Sequence, residues 1–132
     1  MKVTELKVGD WVVCNSEPLR IAEIDIFLCS AWDKNEYFHG GITIDYLTPI
    51  PLTSEILEKN GWKAGNEIWG IDYVNYIKSR LHIALFSKSK DMIAMVSPID
   101  DSDMCVCLRQ IKFVHELQHL LWALGMDDDL KI

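Results

Sequence analysis

Two prolines separated by a single residue, Pro49 and Pro51, constrain the fold of this chain more than any other feature. Proline lacks the backbone N–H that helices and central strands need, and it biases the residue before it towards extended geometry. Regular secondary structure is therefore expected to break at this point. The break predicts a first lobe at residues 1–50 and a second lobe at residues 51–132, held together as one compact unit.

The first lobe has the alternation of apolar and polar residues that is typical of short β-strands. Leu19 and Ile21 share one parity, whereas Ile24 and Ile26 share the other. A β-bulge between the two pairs would turn both inwards and bend the sheet towards closure. With a tight turn at the Gly40–Gly41 pair, four or five short strands predict a small SH3-like β-barrel. The expected strands are residues 6–14, 19–26, 27–32 and 42–46.

The second lobe begins with a predicted helix directly after the prolines. Thr53 can cap its start, and Asn60 and Gly61 tolerate the left-handed geometry common at a helix end. The fold class is therefore α+β, with an N-terminal SH3-like small β-barrel followed by a helix, an antiparallel sheet and a C-terminal amphipathic helix. Strands of this sheet are expected at residues 67–73, 80–86, 92–97 and 104–109.

The C-terminal helix is predicted from apolar residues that recur every three or four positions. We expect this apolar stripe to pack across the second sheet. At about 100° per residue, His115, Glu116 and His119 fall on the opposite side of the helix. A solvated polar face explains that position, and so does a cleft covered by another part of the fold. The stripe consists of Phe113, Val114, Leu117, Leu120, Leu121 and Leu124.

His115, Glu116 and His119 also match the H-E-x-x-H pattern of zinc peptidases. In that interpretation the two histidines bind zinc and Glu116 activates the bound water as the general base. Catalytic zinc needs a third protein ligand, and structural zinc needs two more. Spacing selects none of the candidate donors, and the metzincin extension is absent. The candidates are His39, His82, Cys105, Cys107, Asp127, Asp128 and Asp129.

Four other groups of residues each permit a functional and a purely structural interpretation. Aromatic residues of the first lobe form either a ligand platform or part of the core. Two acidic clusters, at residues 100–103 and 127–129, match no calcium-loop pattern and are expected to be solvated. Cys105 and Cys107 are expected to be small buried residues on one strand face, and His82 a core or sheet-edge histidine. The aromatic residues are Trp11, Trp32, Tyr37, Phe38 and Tyr46.

The composition bounds the class of protein. Apolar residues make up 49% of the chain, which is enough for a core without metals or disulfides. A net charge of −7 argues against nonspecific nucleic-acid binding. The N-terminus lacks a signal-peptide pattern, and no stretch reaches the roughly 20 apolar residues of a membrane span. We therefore expect a cytoplasmic protein with reduced cysteines and no membrane contact.

Three segments resemble an uncharacterised family of short proteins encoded by gut Bacteroidetes and by their phages and prophages. These segments are LKVGDWV (residues 6–12), PIPLTSEILEKNGW (residues 49–62) and IKFVHELQHLL (residues 111–121). The resemblance covers residues 63–110 less well. It implies a small cytoplasmic or phage-derived protein, and it transfers no activity, cofactor, partner or site residue.

The sequence favours a non-enzymatic module, without a cofactor, that binds another protein or its own copy. A sharper variant is an acidic mimic of nucleic acid that occupies a DNA-binding protein of the host. The alternative is a zinc-dependent hydrolase with His115 and His119 as ligands and Glu116 as the base. Structural zinc without catalysis is a third possibility.

Overall fold

The computed structural model of the protein describes residues 1–65, 73–97 and 106–132. These residues form two five-stranded antiparallel sheets and two α-helices, so the α+β prediction is confirmed. The chain divides into two units. The first contains Met1–Pro51 and Phe113–Asp129, and the second contains Leu52–Lys112 and Leu130–Ile132. Among the described residues, neither α-helix has the length and apolar character needed to cross a membrane.

The first unit contains a sheet with the strand order β4-β3-β2-β1-β5. A register shift between Ile21 and Glu23 confirms the predicted bulge in the second strand. Short 3-10 helices cover Val3–Glu5 and Ile44–Tyr46. The strands are β1 (Trp11–Cys14), β2 (Glu17–Ile24), β3 (Leu28–Asp33), β4 (Phe38–Thr43) and β5 (Thr48–Pro49).

The SH3-like barrel expected from the sequence is not confirmed, because neither sheet closes on itself among the described residues. In the first sheet, β4 and β5 form the two edges, and β5 is only two residues long. Its second residue is Pro49, which has no N–H with which to extend a ladder. The fourth strand also differs from the prediction, since Gly40 and Gly41 lie inside β4 and do not form a turn before it.

The C-terminal helix α2 (Val114–Ala123) belongs to the first unit, whereas it was predicted to belong to the second lobe. The backbone N–H of Val114 donates to the carbonyl of Ile50 at 2.9 Å, and Pro51 forms a bridge with Phe113. The predicted stripe is buried at three positions, Val114, Leu117 and Leu121. The stripe indicated which face of the helix is covered, but it carried no information about which sheet covers it.

The second unit consists of α1 (Ser54–Lys59) and a sheet with the order β10-β9-β8-β7-β6. The Thr53 hydroxyl accepts from the N–H of Ile56 at 3.3 Å, and Gly61 has a φ of 91°, so both predicted helix ends are confirmed. Most of the expected strand at residues 67–73 and the start of the strand at 104–109 lie outside the described residues. The strands are β6 (Lys63–Ala64), β7 (Tyr73–Lys78), β8 (Leu81–Phe86), β9 (Met92–Val96) and β10 (Val106–Ile111).

Candidate functional site

Gln118, the fourth residue of the H-E-x-x-H motif, joins α2 to the start of β1. Its side chain is buried, and Oε1 accepts from the backbone N–H of Trp11 at 2.9 Å. Nε2 donates to the carbonyl of Gly9 at 2.9 Å and to that of Asp128 at 3.2 Å. Gln118 occupies a variable position of the motif. Its side-chain amide nevertheless makes hydrogen bonds with three backbone groups, those of Trp11, Gly9 and Asp128.

His119 pairs with Asp10, which is only 2% exposed. Its Nε2 atom lies 2.8 Å from Oδ2 and 3.0 Å from Oδ1 of that carboxyl group. The backbone N–H of Lys7 also donates to Oδ2 at 2.7 Å. Burial raises the pKa of Asp10 above its usual value, and it outweighs the opposing effects of the Lys7 and His119 hydrogen bonds. Asp10 was not predicted from the sequence as the partner of His119.

His115 and Glu116 complete the motif but do not lie on an open polar face. The His115 ring is buried and stacks on Phe113, with centroids 5.9 Å apart and planes 10° apart. A second neighbour is the His119 ring, in an edge-to-face arrangement with centroids at 5.7 Å. Glu116 is half-buried. The solvated-face expectation is therefore wrong for His115, because the fold covers this side of the helix.

Among the described residues, no third-ligand candidate joins His115 and His119 in a group of possible metal ligands. In the described part of the chain, one group of three possible donors has all its ligand atoms within 4.8 Å of one another, and it contains neither His115 nor His119. It includes His39, whereas His82 belongs to the second unit and Cys107 is exposed on β10. Cys105 lies outside the described residues, as do Asp100, Asp101 and Asp103.

The terminal aspartates have other contacts. The backbone carbonyl of Asp128 accepts from Gln118, and the carboxylate of Asp129 lies 3.0 Å from the guanidinium of Arg20. Asp127 accepts from the backbone N–H of Asp129 at 3.0 Å. Two residues of the motif, Gln118 and His119, are thus engaged in hydrogen bonds with residues 9–11, and the zinc-hydrolase hypothesis has no third ligand within the described chain.

An aromatic surface covers the outer face of the first sheet. Cross-strand pairing joins Trp11 to Arg20, Arg20 to Trp32, and Trp32 to Phe38. Directly paired residues point to the same face of an antiparallel sheet, so these four side chains form a line across β1 to β4, here called the aromatic row. Trp32 is 45% exposed and Phe38 is 52% exposed. Their rings meet edge to face, with centroids 5.0 Å apart.

Loops of the same unit expose further large apolar side chains. Of the five aromatic residues named from the sequence, four are exposed and Trp11 is intermediate, so they do not fill the core as one interpretation had it. The residues that do fill the core of the sheet are aliphatic or small, and include Val12, Leu19 and Ile21. The exposed residues are Val8, Ile26, Phe27 and Tyr37 in loops and Tyr46 in the second 3-10 helix.

Comparison with known proteins adds no relative to these observations. No family model, no curated protein and no solved structure matches the chain. The candidate site is therefore argued from the geometry and chemistry of the chain itself.

Proposed function

We propose that the protein is a non-enzymatic protein-interaction module that binds its partner through the aromatic row. The observation that carries the proposal is the exposed, edge-to-face pair of Trp32 and Phe38 on β3 and β4, at one edge of the first sheet. Large aromatic side chains supply much of the binding energy of protein interfaces, because each buries about 150–250 Å² at little entropic cost. A sheet face that exposes such a pair has apolar area to bury against a partner.

The partner that fits this surface is an extended segment of another protein with apolar and basic side chains. Residues 17–46, which contain most of the row and its flanking loops, expose four acidic residues besides Glu17, against one exposed basic residue, Lys34. Acidic surroundings favour a basic partner and speed its approach. Phe38 also begins β4, an edge strand whose outer backbone groups can pair with an added strand. An extended segment would use both the edge and the aromatic side chains.

The strand order supports an SH3-like relationship for the first unit as part of this proposal. β5 lies beside β1, and a 3-10 helix at Ile44–Tyr46 connects β4 to β5. A meander of this kind needs only one further ladder to close as a small barrel. Phage-derived origin and cytoplasmic location remain proposals that rest on the sequence resemblance.

The test uses pairs of synthetic peptides that share apolar residues and differ only in carrying lysine or glutamate. We expect the basic peptides to bind more tightly in fluorescence anisotropy. Trp32→Ala should weaken that binding about 30-fold, the loss typical of an interface hot spot. The matched control is Trp122→Ala, since Trp122 is also exposed and lies in the same unit, on α2.

Two results would contradict the proposal. Equal binding of basic and acidic peptides, or equal loss in the two tryptophan variants, would show that the row does not select its ligand. A protein that is oligomeric on size-exclusion chromatography and becomes monomeric with Trp32→Ala would show that the row binds a second copy. In that case the proposal of a separate partner would be wrong.

A further inference from the structure

Three potential metal ligands meet at one end of the first sheet, away from the H-E-x-x-H motif. Glu17 opens β2, Asp33 ends β3 and His39 is the second residue of β4. Leu19 is the direct partner of Asp33, and Glu17 lies two residues before Leu19, so both carboxylates are on the core-facing side of the sheet. His39 faces the same side because its partner is the buried Ala31.

Asp33 is held in place by the loop that follows it. Its side chain is 6% exposed, and Oδ1 accepts from the backbone N–H groups of Asn35 at 2.8 Å and Tyr37 at 3.0 Å. These bonds leave Oδ2 directed at Nε2 of His39, 2.8 Å away. The site therefore contains one oriented carboxylate oxygen before any ion arrives.

The spacing of the three donors suits a small divalent ion. One ligand atom from each residue can be chosen so that all three lie within 4.8 Å of one another. Ligands at zinc distances of about 2.0–2.2 Å are separated by about 3.4 Å in a tetrahedral site. Glu17 is exposed, so rotation of its side chain can remove the remaining difference. Asp33 and His39 need to separate only slightly from their present hydrogen bond.

We propose that Glu17, Asp33 and His39 bind a divalent transition-metal ion of the zinc class. One imidazole nitrogen and two carboxylate oxygens suit zinc and its neighbours better than calcium, which prefers oxygen ligands alone. The ion takes the place of the hydrogen-bonding proton between Nε2 of His39 and Oδ2 of Asp33. The neutral His39 ring binds the ion through Nε2 and has its N–H on Nδ1. Three protein ligands leave a coordination position open to water.

Such a site would fasten the β3–β4 loop beside the aromatic row. Asp33 and His39 directly follow Trp32 and Phe38 in the sequence, so the ion would tie together the two strands that present the aromatic pair. The inference does not depend on the proposed function, because metal binding is measured without any peptide, and the peptide experiment is performed in the presence of a chelator.

The test is isothermal titration of untagged protein with zinc alone, repeated with cobalt for its visible absorption spectrum. We expect one ion per chain. Glu17→Gln and His39→Gln should each weaken zinc binding at least about 10-fold, a loss at the low end of what outer-shell changes alone can cause. Glu17→Gln keeps the test informative even if His39→Gln unfolds, because Glu17 is exposed on the first residue of its strand.

His82→Gln and His119→Ala are the controls. Each removes a histidine outside the cluster, one from the second unit and one from the H-E-x-x-H motif. Both should bind zinc as the unaltered protein does. The inference is overturned if the protein binds no zinc, if Glu17→Gln binds zinc as tightly as the unaltered chain, or if His119→Ala alone loses the ion.

Discussion

Two histidine–aspartate pairs of the first unit have the same closest distance and opposite electrostatic character. Nε2 lies 2.8 Å from a carboxylate oxygen in both His119–Asp10 and His39–Asp33, and both carboxyl groups are almost completely buried. Yet the pKa of Asp10 is raised, whereas that of Asp33 is lowered. Geometry between the two side chains therefore does not decide the direction in which the pKa of the carboxyl group shifts.

The difference lies in the other groups around each carboxyl. Asp33 accepts from two backbone N–H groups of its own loop, whereas Asp10 accepts from one, that of Lys7. At Asp10 the cost of removing charge from water is the largest influence, and at Asp33 it is the hydrogen bond with His39. Only the Asp33 pair, within the described chain, also has a third possible ligand within reach, Glu17. The Asp10 pair is suited to fastening a helix, and the Asp33 pair to binding a cation.

The largest effect is expected where side chains of the helix satisfy backbone groups. Gln118→Ala removes three hydrogen bonds and leaves partly buried backbone groups of Gly9 and Trp11 without these partners, which should cost about 2–3 kcal/mol in the free energy of unfolding. Urea denaturation measures the change. Gln110→Ala, which removes an exposed bond to Asp91, is the control and should cost well under 1 kcal/mol. Similar losses in both variants would show that Gln118 does not fasten α2.

The two aspartates should respond to pH in opposite directions. Because the pKa of Asp33 is lowered, its contribution to stability is complete above the unfolded value near 3.8 and is lost as pH falls through the folded value. For Asp10 the pKa is raised, so its contribution is complete below 3.8 and is lost as pH rises through the folded value.

Substitution with asparagine separates these two contributions. Asp33→Asn should flatten the acid-induced loss of stability, and Asp10→Asn should steepen the rise in stability with pH. Urea titrations from about pH 2.5 to pH 6 measure both slopes. Changes of the same sign in the two variants would refute the proposed difference between the pairs.

The second unit contains a third histidine, His82, whose hydrogen-bond partner is the neutral amide of Asn75 and not a carboxyl group. The side-chain amide of Asn75, which carries no charge, lies 3.2 Å from Nδ1 of His82. Burial lowers the pKa of His82 below 6.5, so its contribution to stability is complete above pH 6.5 and is lost as pH falls through the folded value. His82→Gln should remove this pH dependence below pH 6.5. Thermal unfolding at several pH values below 6.5 measures the effect. If the melting temperature of His82→Gln depends on pH as that of the unaltered protein does, His82 is not responsible.

The smallest effect is expected at the exposed end of the Asp10 region. The ammonium of Lys7 lies 3.4 Å from the centroid of the Trp122 ring, and Trp122 is 64% exposed. Cation–π contacts at exposed sites contribute about 0.5–1 kcal/mol. Lys7→Met keeps the backbone bond to Asp10 and should lose that amount in urea denaturation. A loss as large as that of Gln118→Ala would mean that the ammonium is more than an accessory contact.

Local features of the fold follow from the sequence because their causes are local. The Thr53 cap, the glycine at the end of α1 and the bulge after Ile21 each depend on neighbouring residues only, and each was predicted. The candidate sites depend on distant pairs. Asp10 and His119 are 109 residues apart, and no spacing rule connects them. The alternation of side chains along a strand also leaves the candidate surface undetermined. It shows that Trp32 and Ala31 face opposite sides of the sheet, but it does not show which side is covered.

The hydrogen bonds of Gln118 also have a consequence for synthesis on the ribosome. The first unit is discontinuous, because residues 52–112 of the second unit are translated between its two parts. Trp11 and Gly9 emerge early, but their partner on α2 is made more than 100 residues later. Contacts of such long sequence separation slow folding, since a long loop must close before they form. The backbone groups of Gly9 and Trp11 therefore lack their Gln118 partner until α2 has been made.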